Sequence, residues 1–233
     1  MSQSMHRSDR LAARLVLALL LPVLLILTSV RLLLTPTFVE LEYGTPLFPA
    51  DPFGFTPQER LKWSAVSLNY LLSDEGIESL AAQRLSAEQP LYNARELRHM
   101  SDVKTLVQAA LRVWLVCAVL VVGLLVVLWW RREMALLLRG LQDGARWTLI
   151  LMILIVVGLA ASFSFLFVGF HRIFFQGETW LFLYSDSLIR LFPERFWRDA
   201  FLWICGLTAL MALALWAGAR WGKKHLEDSS VTR

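Results

Sequence analysis

Cysteine and charge are both scarce in this 233-residue sequence, and each scarcity excludes a class of protein. The two cysteines, Cys117 and Cys205, both lie in apolar runs. We expect neither a disulfide nor a reactive thiolate from them, because a thiol buried in hydrocarbon stays protonated. Charged residues make up 18% of the chain and apolar residues 57%, whereas soluble domains average about 25% and 45–50%. An ordinary soluble domain is therefore excluded.

Four stretches contain no charged residue at all: 15–30, 113–130, 147–170 and 200–219. Each approaches or exceeds the ~17–25 residues that a helix needs to cross a bilayer. The first is short, but the long side chains of Arg14 and Arg31 at its ends can reach the interface. A signal peptide is the alternative for this stretch; its apolar run is too long and it lacks a small-x-small cleavage site before Arg31. We therefore predict four transmembrane helices.

The basic residues predict the orientation of these helices. The two tails and the connection after the second helix hold eleven Lys and Arg against five acidic residues. Arg7, Arg10 and Arg14 lie in the first tail, and Arg233 lies in the last. We expect both termini in the cytoplasm and the remaining segments outside. Because the net charge of +4 then reflects topology, it gives no indication of nucleic-acid binding.

The predicted fold class is an all-α membrane protein with four transmembrane helices and a mainly helical extracytoplasmic cap. The predicted segments are a cytoplasmic tail (1–14), transmembrane helix 1 (15–34), the cap (35–105), transmembrane helix 2 (106–130), a cytoplasmic loop (131–146), transmembrane helix 3 (147–170), a second extracytoplasmic segment (171–198), transmembrane helix 4 (199–221) and a cytoplasmic tail (222–233).

Within the cap, the local pattern predicts one strand and several helical pieces. Residues 37–43 alternate between polar and apolar side chains as a short strand does. Thr56 and Pro57 are typical of a helix start, and the spacing predicts a helix over 57–72 that buries Leu61, Ala65, Leu68 and Leu72. A weaker helical piece follows around 77–85. Residues 92–104 are predicted to run into the second transmembrane helix as one helix.

Two histidines lie at the predicted outer face, His99 before one apolar run and His171 after another. Histidine has the ordinary pKa nearest to physiological pH, so such a pair is suited to proton transfer. On a helix, His99 would have Arg95 and Glu96 one turn before it and Asp102 one turn after it. Straight helices leave the two imidazoles about 10 Å apart in height. A tilt, or a break between residues 98 and 106, would remove this difference.

The usual signatures of an enzyme nucleophile or a catalytic metal are missing. The sequence has no Gly-x-Ser-x-Gly elbow and no His-Glu-x-x-His motif. A catalytic site at the two histidines would therefore need a substrate that brings its own nucleophile. The alternative for each histidine is an ordinary polar residue at the interface, while His6 and His225 lie in the tails and indicate nothing.

Two long motifs resemble the lipoprotein intramolecular transacylase family. The first is Tyr-Asn-x-Arg-Glu-Leu-Arg-His-Met-x-Asp-Val-Lys at 92–104. The second is His-x-Ile-Phe-Phe-x-x-x-Thr-Trp at 171–180, continued by Asp-x-Leu-Ile-x-Leu-Phe-Pro-x-x-Phe-Trp-x-Asp at 186–199. The resemblance implies a cap over four helices in the bacterial cytoplasmic membrane, with His99 and His171 as the catalytic residues. It implies substrate-binding or orienting roles for Tyr92, Asn93, Arg95, Glu96, Arg98, Asp102, Phe175, Trp180, Asp186 and Trp197.

The implied reaction moves an acyl chain from the glyceryl group of a diacylglyceryl-modified lipoprotein to the α-amine of the same cysteine, which gives a lyso-form lipoprotein. This fits the absence of an enzyme nucleophile, since the amine belongs to the substrate. One histidine would deprotonate the amine and the other would protonate the departing oxygen. We expect no cofactor and no metal, membrane lipids as the surroundings, and a monomer.

Two other functions remain open at this point. One is a non-catalytic membrane protein, an assembly factor or a sensor, whose cap binds a partner. The other is a bis-histidine haem or metal protein, because the two histidines come from different helices. An absorbance spectrum of the purified protein tests the haem alternative through the Soret band.

Overall fold

Residues 6–231 are described by the structure, a computed structural model, and within them the chain forms nine helices. They are α1 (Arg7–Leu33), α2 (Pro36–Tyr43), α3 (Pro57–Leu72), α4 (Glu78–Ala81), α5 (Ala94–Trp130), α6 (Met134–Ala161), α7 (Phe163–Phe174), α8 (Ser187–Leu191) and α9 (Glu194–Val231). The only β pairing in this range is a single bridge between Arg84 and Pro90. The predicted all-α fold class is confirmed. Arg233 lies outside the described residues.

Among the described residues, four helices are long and apolar enough to cross a membrane: α1, α5, α6 and α9. Helices α1, α5 and α9 contain the charge-free stretches 15–30, 113–130 and 200–219 and extend beyond them, whereas the stretch 147–170 begins in α6 and continues into α7. Helix α6 itself begins at Met134, inside the segment predicted as the cytoplasmic loop 131–146. Where each span enters the membrane stays a prediction.

The chain divides into two compact units. The first unit holds the described residues up to Val30, Arg112–Val157, and the described residues from Trp203 onward. Gly140 and Gly144 of α6 allow close packing against α1, because a Cβ atom at either would lie 2.6–2.8 Å from Leu17 or Leu21. The hydroxyl groups of Ser29 and Thr208 hydrogen bond to each other at 2.8 Å, which satisfies two polar groups that are completely buried.

Ion pairs join the start of α1 to the region around the start of α6 within this first unit. Arg10 pairs with Glu133, and Arg14 pairs with Asp143. Arg10 and Arg14 are half-exposed, so each pair contributes little to stability by itself. They do place the basic residues of the first tail beside those of the 131–146 segment.

The second unit consists of Arg31–Leu111 and Gly158–Leu202 and contains both histidines. The strand predicted at 37–43 is wrong, because these residues form α2. Pro36 occupies the first turn, and the Thr35 hydroxyl caps the helix by accepting a hydrogen bond from the Phe38 amide. The buried residues Phe38, Val39 and Glu42 follow helical spacing, which overrides the alternating polarity.

The helix predicted at 57–72 is confirmed as α3, with a capping box in which Thr56 and Glu59 exchange hydrogen bonds. Of its predicted buried face, Leu68 is buried and Leu61 and Ala65 are half-buried. Leu72 is exposed, while Trp63, Ser64, Ser67 and Tyr70 are buried. The polar members of this face are buried because they have partners: Ser67 contacts Tyr92, and Ser64 contacts Tyr43. The helical piece predicted around 77–85 is the single turn α4.

The helical conformation is interrupted at Ser162, which separates α6 from α7. Ser162 adopts an extended backbone, and its hydroxyl accepts a hydrogen bond from the Phe165 amide, so it caps α7. By contrast, α5 is one helix from Ala94 to Trp130. The break suggested between residues 98 and 106 is therefore absent from α5. Because His171 stands on a separate short helix, the height difference expected from straight helices does not apply.

Candidate active site

His99 lies in the second turn of α5, and the start of that helix is fixed by a capping box. The Asn93 side-chain oxygen accepts hydrogen bonds from the amides of Arg95 and Glu96, and the Glu96 carboxylate accepts one from the Asn93 amide at 2.7 Å. Such reciprocal bonds satisfy amides that a helix start leaves unpaired. The predicted helix start at 92 is thus shifted to Ala94, and Asn93 acts as its cap.

Glu96 also holds α8 in place. Its second carboxylate oxygen accepts a hydrogen bond from the Leu188 amide at 2.7 Å, and the residue is only 2% exposed. Burial raises the pKa of Glu96 above its ordinary value, although the backbone amides of Asn93 and Leu188 oppose the shift. The helical spacing of Glu96 suggested that it orients the His99 ring. Its carboxylate instead accepts hydrogen bonds from backbone amides.

Asp186 ties the segment before α8 to the same end of α5. Its carboxylate accepts hydrogen bonds from the Asn93 side chain and the Arg95 guanidinium, each at 3.0 Å, and from the Leu183 amide at 2.9 Å. The Ser187 hydroxyl adds a bond to the Leu91 carbonyl. Asn93, Arg95, Glu96 and Asp186 thus form one network that fixes the elements around His99.

His171 lies near the end of α7, and its ring is held by its own helix. Nδ1 is 2.8 Å from the carbonyl oxygen of Phe167, four residues earlier. A carbonyl oxygen can only accept, so Nδ1 carries the proton and donates it. In the neutral ring the lone pair is then on Nε2, which makes Nε2 the basic atom.

The two imidazoles meet in an aromatic pocket. Their ring centroids are 6.1 Å apart and their planes differ by 20°. The edges of Phe175 and Phe182 face His99 at 4.9 and 5.3 Å, and Phe167 and Trp180 lie 4.2 and 5.0 Å from His171. His99 is 8% exposed and His171 is half-buried.

This pocket keeps both rings neutral at pH 7. Burial, with a smaller contribution from the nearby His171, lowers the pKa of His99 to about 4. Burial also lowers the pKa of His171, but the Phe167 carbonyl opposes that shift because it stabilises the protonated ring. Nδ1 of His99 is buried with no hydrogen-bond partner. The tautomer of His171 is thus fixed by a hydrogen bond, whereas that of His99 is not.

The remaining predicted residues lie at different distances from the pair. Tyr92 is in the core, with its hydroxyl 2.6 Å from that of Ser67, and burial raises its pKa well above the ordinary value. Asp102 is exposed and accepts a hydrogen bond from Thr179. Arg98 is exposed. The Trp197 ring lies 6.5 Å from that of Phe167, one ring away from His171.

Two aromatic residues of the pocket escaped the sequence analysis, Phe167 and Phe182. The four-residue spacing between Phe167 and His171 was a usable signal, because such residues share a helix face. Phe182 lies in an irregular segment, so no periodicity indicated it. Within residues 6–231, no group of three or more His, Cys, Asp or Glu side chains is placed to hold a metal ion.

The comparisons with known proteins agree with this architecture. A family model described as lipoprotein intramolecular transacylase Lit matches residues 15–197. A protein of Aquifex aeolicus (strain VF5), described as uncharacterized, is 30% identical over 218 residues, which are 93% of this chain and 97% of that one.

Similar solved structures include the membrane integral lipoprotein intramolecular transacylase Lit from Bacillus cereus. It has a TM-score of 0.79 at 19% identity and covers 95% of this chain and 100% of that one. A second structure of that protein, with a histidine replaced by arginine, has a TM-score of 0.69 at 19% identity over 95% of each chain. This multi-pass membrane protein therefore belongs to the Lit family of lipoprotein intramolecular transacylases.

Proposed function

We propose that His99 and His171 catalyse the O-to-N acyl shift on the N-terminal diacylglyceryl-cysteine of a lipoprotein. The observation that carries the proposal is the pairing of two neutral imidazoles in an aromatic pocket. The substrate supplies both the attacking amine and the ester, so the protein needs only to hold them together and to move protons. Fixing the two groups in contact accounts for much of the acceleration in such reactions.

His171 is the general base in this proposal. Its Nε2 accepts a proton from the cysteine α-amine as the nitrogen forms a bond to the ester carbonyl carbon. The resulting imidazolium is stabilised by the Phe167 carbonyl, which accepts from Nδ1 at 2.8 Å. When the carbon–oxygen bond to the glyceryl group breaks, the same proton passes from His171 to the departing oxygen. The amide and the glyceryl hydroxyl are the products, and the enzyme is unchanged.

His99 has a different part, because a pKa of about 4 makes it a poor carrier of protons at pH 7. A neutral imidazole is still a hydrogen-bond donor. Its N–H donates to the oxygen on which negative charge develops as the tetrahedral intermediate forms. Donors that are already in place within a water-poor site stabilise such charge strongly. This division differs from a simple base-and-acid pair, since one histidine carries the proton and the other remains neutral.

The first prediction tests this pair directly. We expect expression of the protein in a host that makes only diacyl lipoproteins to convert them to the N-acyl lyso form, detected by mass spectrometry of N-terminal lipopeptides. His99→Ala and His171→Ala should each lower conversion by at least about 100-fold, as expected when a proton carrier or a charge-stabilising donor is lost. The matched control is His225→Ala, an exposed histidine near the end of α9.

The outcomes separate the activity from the residues. An unchanged acylation pattern with the wild-type protein would refute the transacylase activity. Full conversion by either histidine variant would remove that histidine from the mechanism. If both alanine variants are lost from the membrane fraction, the same assay is carried out with His99→Gln and His171→Gln, which keep a polar side chain in the pocket.

We further propose that both termini lie in the cytoplasm and that residues 35–105 and 171–198, which carry both histidines, lie on the outer face of the bacterial cytoplasmic membrane. The excess of Lys and Arg in the tails and in the 131–146 segment supports this orientation. The ion pairs of Arg10 and Arg14 with Glu133 and Asp143 place those segments together. We also propose a monomer as the active form.

A further inference from the structure

A cavity of about 300 Å³ lies beside the histidine pocket within the second unit. It is lined by Arg95, Arg98, Glu178, Thr179 and Leu181. Arg98 directly precedes His99 in α5. Thr179 and Leu181 flank Trp180, whose ring lies 5.0 Å from that of His171. The cavity and the pocket therefore share the part of α5 that carries His99 and the irregular segment that carries Trp180.

Four of the five residues that line the cavity are polar or charged, whereas the lining of the histidine pocket is aromatic. Arg95 and Arg98 are one turn apart on α5, and Asp102, one turn further along, accepts a hydrogen bond from Thr179 across the gap. The two segments are thus held together at one end of the cavity. An acyl chain in this cavity would displace water from two guanidinium groups and a carboxylate without giving them hydrogen-bond partners, which is costly.

The charged side chains that line this cavity differ in whether they already have a partner within the protein. Arg95 donates to Asp186, so its guanidinium is partly occupied. Arg98 and Glu178 are both exposed, and neither forms an ion pair within the part of the chain that the structure describes. One free donor group and one free acceptor group thus face the same space.

The substrate has a part that must lie close to the reacting atoms and that the histidine pocket does not accommodate. In the proposed reaction the attacking amine and the first peptide carbonyl belong to the same cysteine. An extended chain advances about 3.3–3.6 Å per residue, so the next two residues lie within roughly 10 Å of the amine. A polypeptide backbone presents carbonyl acceptors and amide donors along its whole length.

We propose that this cavity binds the first residues of the lipoprotein polypeptide that follow the modified cysteine. Arg98 donates to a backbone carbonyl oxygen, and Glu178 accepts from a backbone amide. The contacts are to the main chain, so many lipoproteins of different sequence fit. Arg98 is thereby a specificity-determining residue that favours peptide-bearing substrates over the lipid-modified amino acid alone. This inference rests on the proposed transacylase function.

The test compares two synthetic substrates with the purified full-length protein. One is a diacylglyceryl-cysteinyl pentapeptide, and the other is diacylglyceryl-cysteine N-methylamide, which ends after the first carbonyl. We expect the wild-type protein to prefer the pentapeptide in kcat/KM. Arg98→Gln should reduce that preference by about tenfold through a higher KM, the size expected for one hydrogen bond to a charged group. Glu178→Gln should reduce it in the same direction.

The matched control is Arg172→Gln, since Arg172 is an exposed arginine next to the other histidine and does not line the cavity. It should keep the wild-type preference, and melting temperatures should be similar for all variants. Equal kcat/KM of the wild-type protein for both substrates, or an Arg98→Gln variant with the wild-type preference, would overturn the inference and leave the transacylase function standing. No reaction of the wild-type protein with either substrate would overturn the transacylase function itself.

Discussion

At the residue scale, the two histidines show how the same side chain acquires two chemical characters. His171 is half-buried and donates to a backbone carbonyl, so its protonated form has a partner. His99 is buried among aromatic edges, and its Nδ1 has no partner, so protonation gains nothing there. Pairs of titratable groups whose surroundings separate their pKa values are typical of acid–base sites.

The second prediction concerns the titration of His99. We expect its ring to stay neutral between pH 5.5 and 8, because burial and the nearby His171 lower its pKa to about 4. His171→Gln should raise the pKa of His99 by removing the repulsion, but not to the ordinary value of about 6.5, because burial remains. Nuclear magnetic resonance of protein with labelled histidine rings measures both. A His99 pKa near 6.5 in the wild-type protein would contradict this account.

The same shift makes stability depend on pH. The unfolded chain binds a proton at His99 below about pH 6.5, whereas the folded protein binds it only near pH 4. Stability therefore rises with pH across this window and is lost as the pH falls through it. The melting temperature should show this acid loss in the wild-type protein, and the loss should be smaller in His99→Phe.

The sequence predicted only some of the residues that form the histidine pocket. The motifs singled out His99, His171, Phe175 and Trp180, and all four meet in the pocket. Phe182 could not be predicted, because it reaches His99 through the fold of an irregular segment. For Glu96, the helical spacing predicted a position beside the His99 imidazole. In the structure its carboxylate instead accepts hydrogen bonds from the backbone amides of Asn93 and Leu188.

At the element scale, the start of α5 determines where His99 lies. Asn93 caps the helix with one end of its side chain and donates to Asp186 with the other. A single amide thus connects the helix that carries His99 with the segment that carries Phe182. The position of the ring depends on this connection, even though Asn93 itself does not contact either imidazole.

The third prediction follows from Asn93. Asn93→Ala should lower stability by about 1 kcal/mol, the usual contribution of a helix cap, and should also lower transacylase activity. Asn93→Asp keeps an oxygen for the cap but replaces the donor to Asp186 with a second negative charge, so it should lower activity more than the loss of the cap alone. Thermal unfolding in detergent and the lipopeptide assay measure the two effects.

The control for this prediction is Asn69→Ala, an exposed asparagine within α3. It should change stability by less than about 0.5 kcal/mol, as expected for a surface position. Wild-type stability and activity in Asn93→Ala would show that the cap does not position the site.

The elements that the sequence predicted well are those with a strong local signal. Four charge-free runs predicted the long helices, and Thr56 with Pro57 predicted the start of α3. By contrast, α2 was mistaken for a strand because residues 37–43 alternate in polarity, whereas the Thr35 cap and Pro36 in the first turn begin a helix there. The break at Ser162 was missed because neither glycine nor proline marks it. There the Ser162 hydroxyl caps α7.

At the scale of the whole molecule, the two units differ in how many large apolar side chains they expose. The first unit carries most of the exposed large apolar side chains of the long helices, such as Leu120 and Ile153. Exposure of that kind is costly in water and favourable in lipid. The second unit carries the histidines and the polar cavity. A lipid-modified protein likewise has an apolar lipid part and a polar polypeptide part.

The fourth prediction tests the orientation with single cysteines. Ser86→Cys, in an exposed loop of the second unit, should react with a membrane-impermeant maleimide on intact cells. Ser8→Cys, at the exposed start of α1, should react only after the membrane is permeabilised. The native Cys117 and Cys205 are buried and serve as the unreactive background. Labelling of Ser8→Cys on intact cells would reverse the proposed orientation.

The unequal attachment of the two histidines has a mechanical consequence. His99 is part of the same uninterrupted helix as the apolar run that ends at Trp130, and each residue of that helix sets its height by 1.5 Å. His171 is separated from α6 by the Ser162 break. We therefore expect a change in bilayer thickness to be transmitted directly to His99, whereas the separation of α7 from α6 at Ser162 leaves His171 without that direct connection. The spacing of the imidazoles, and with it the rate of acyl transfer, would then depend on the thickness of the membrane in which the protein works.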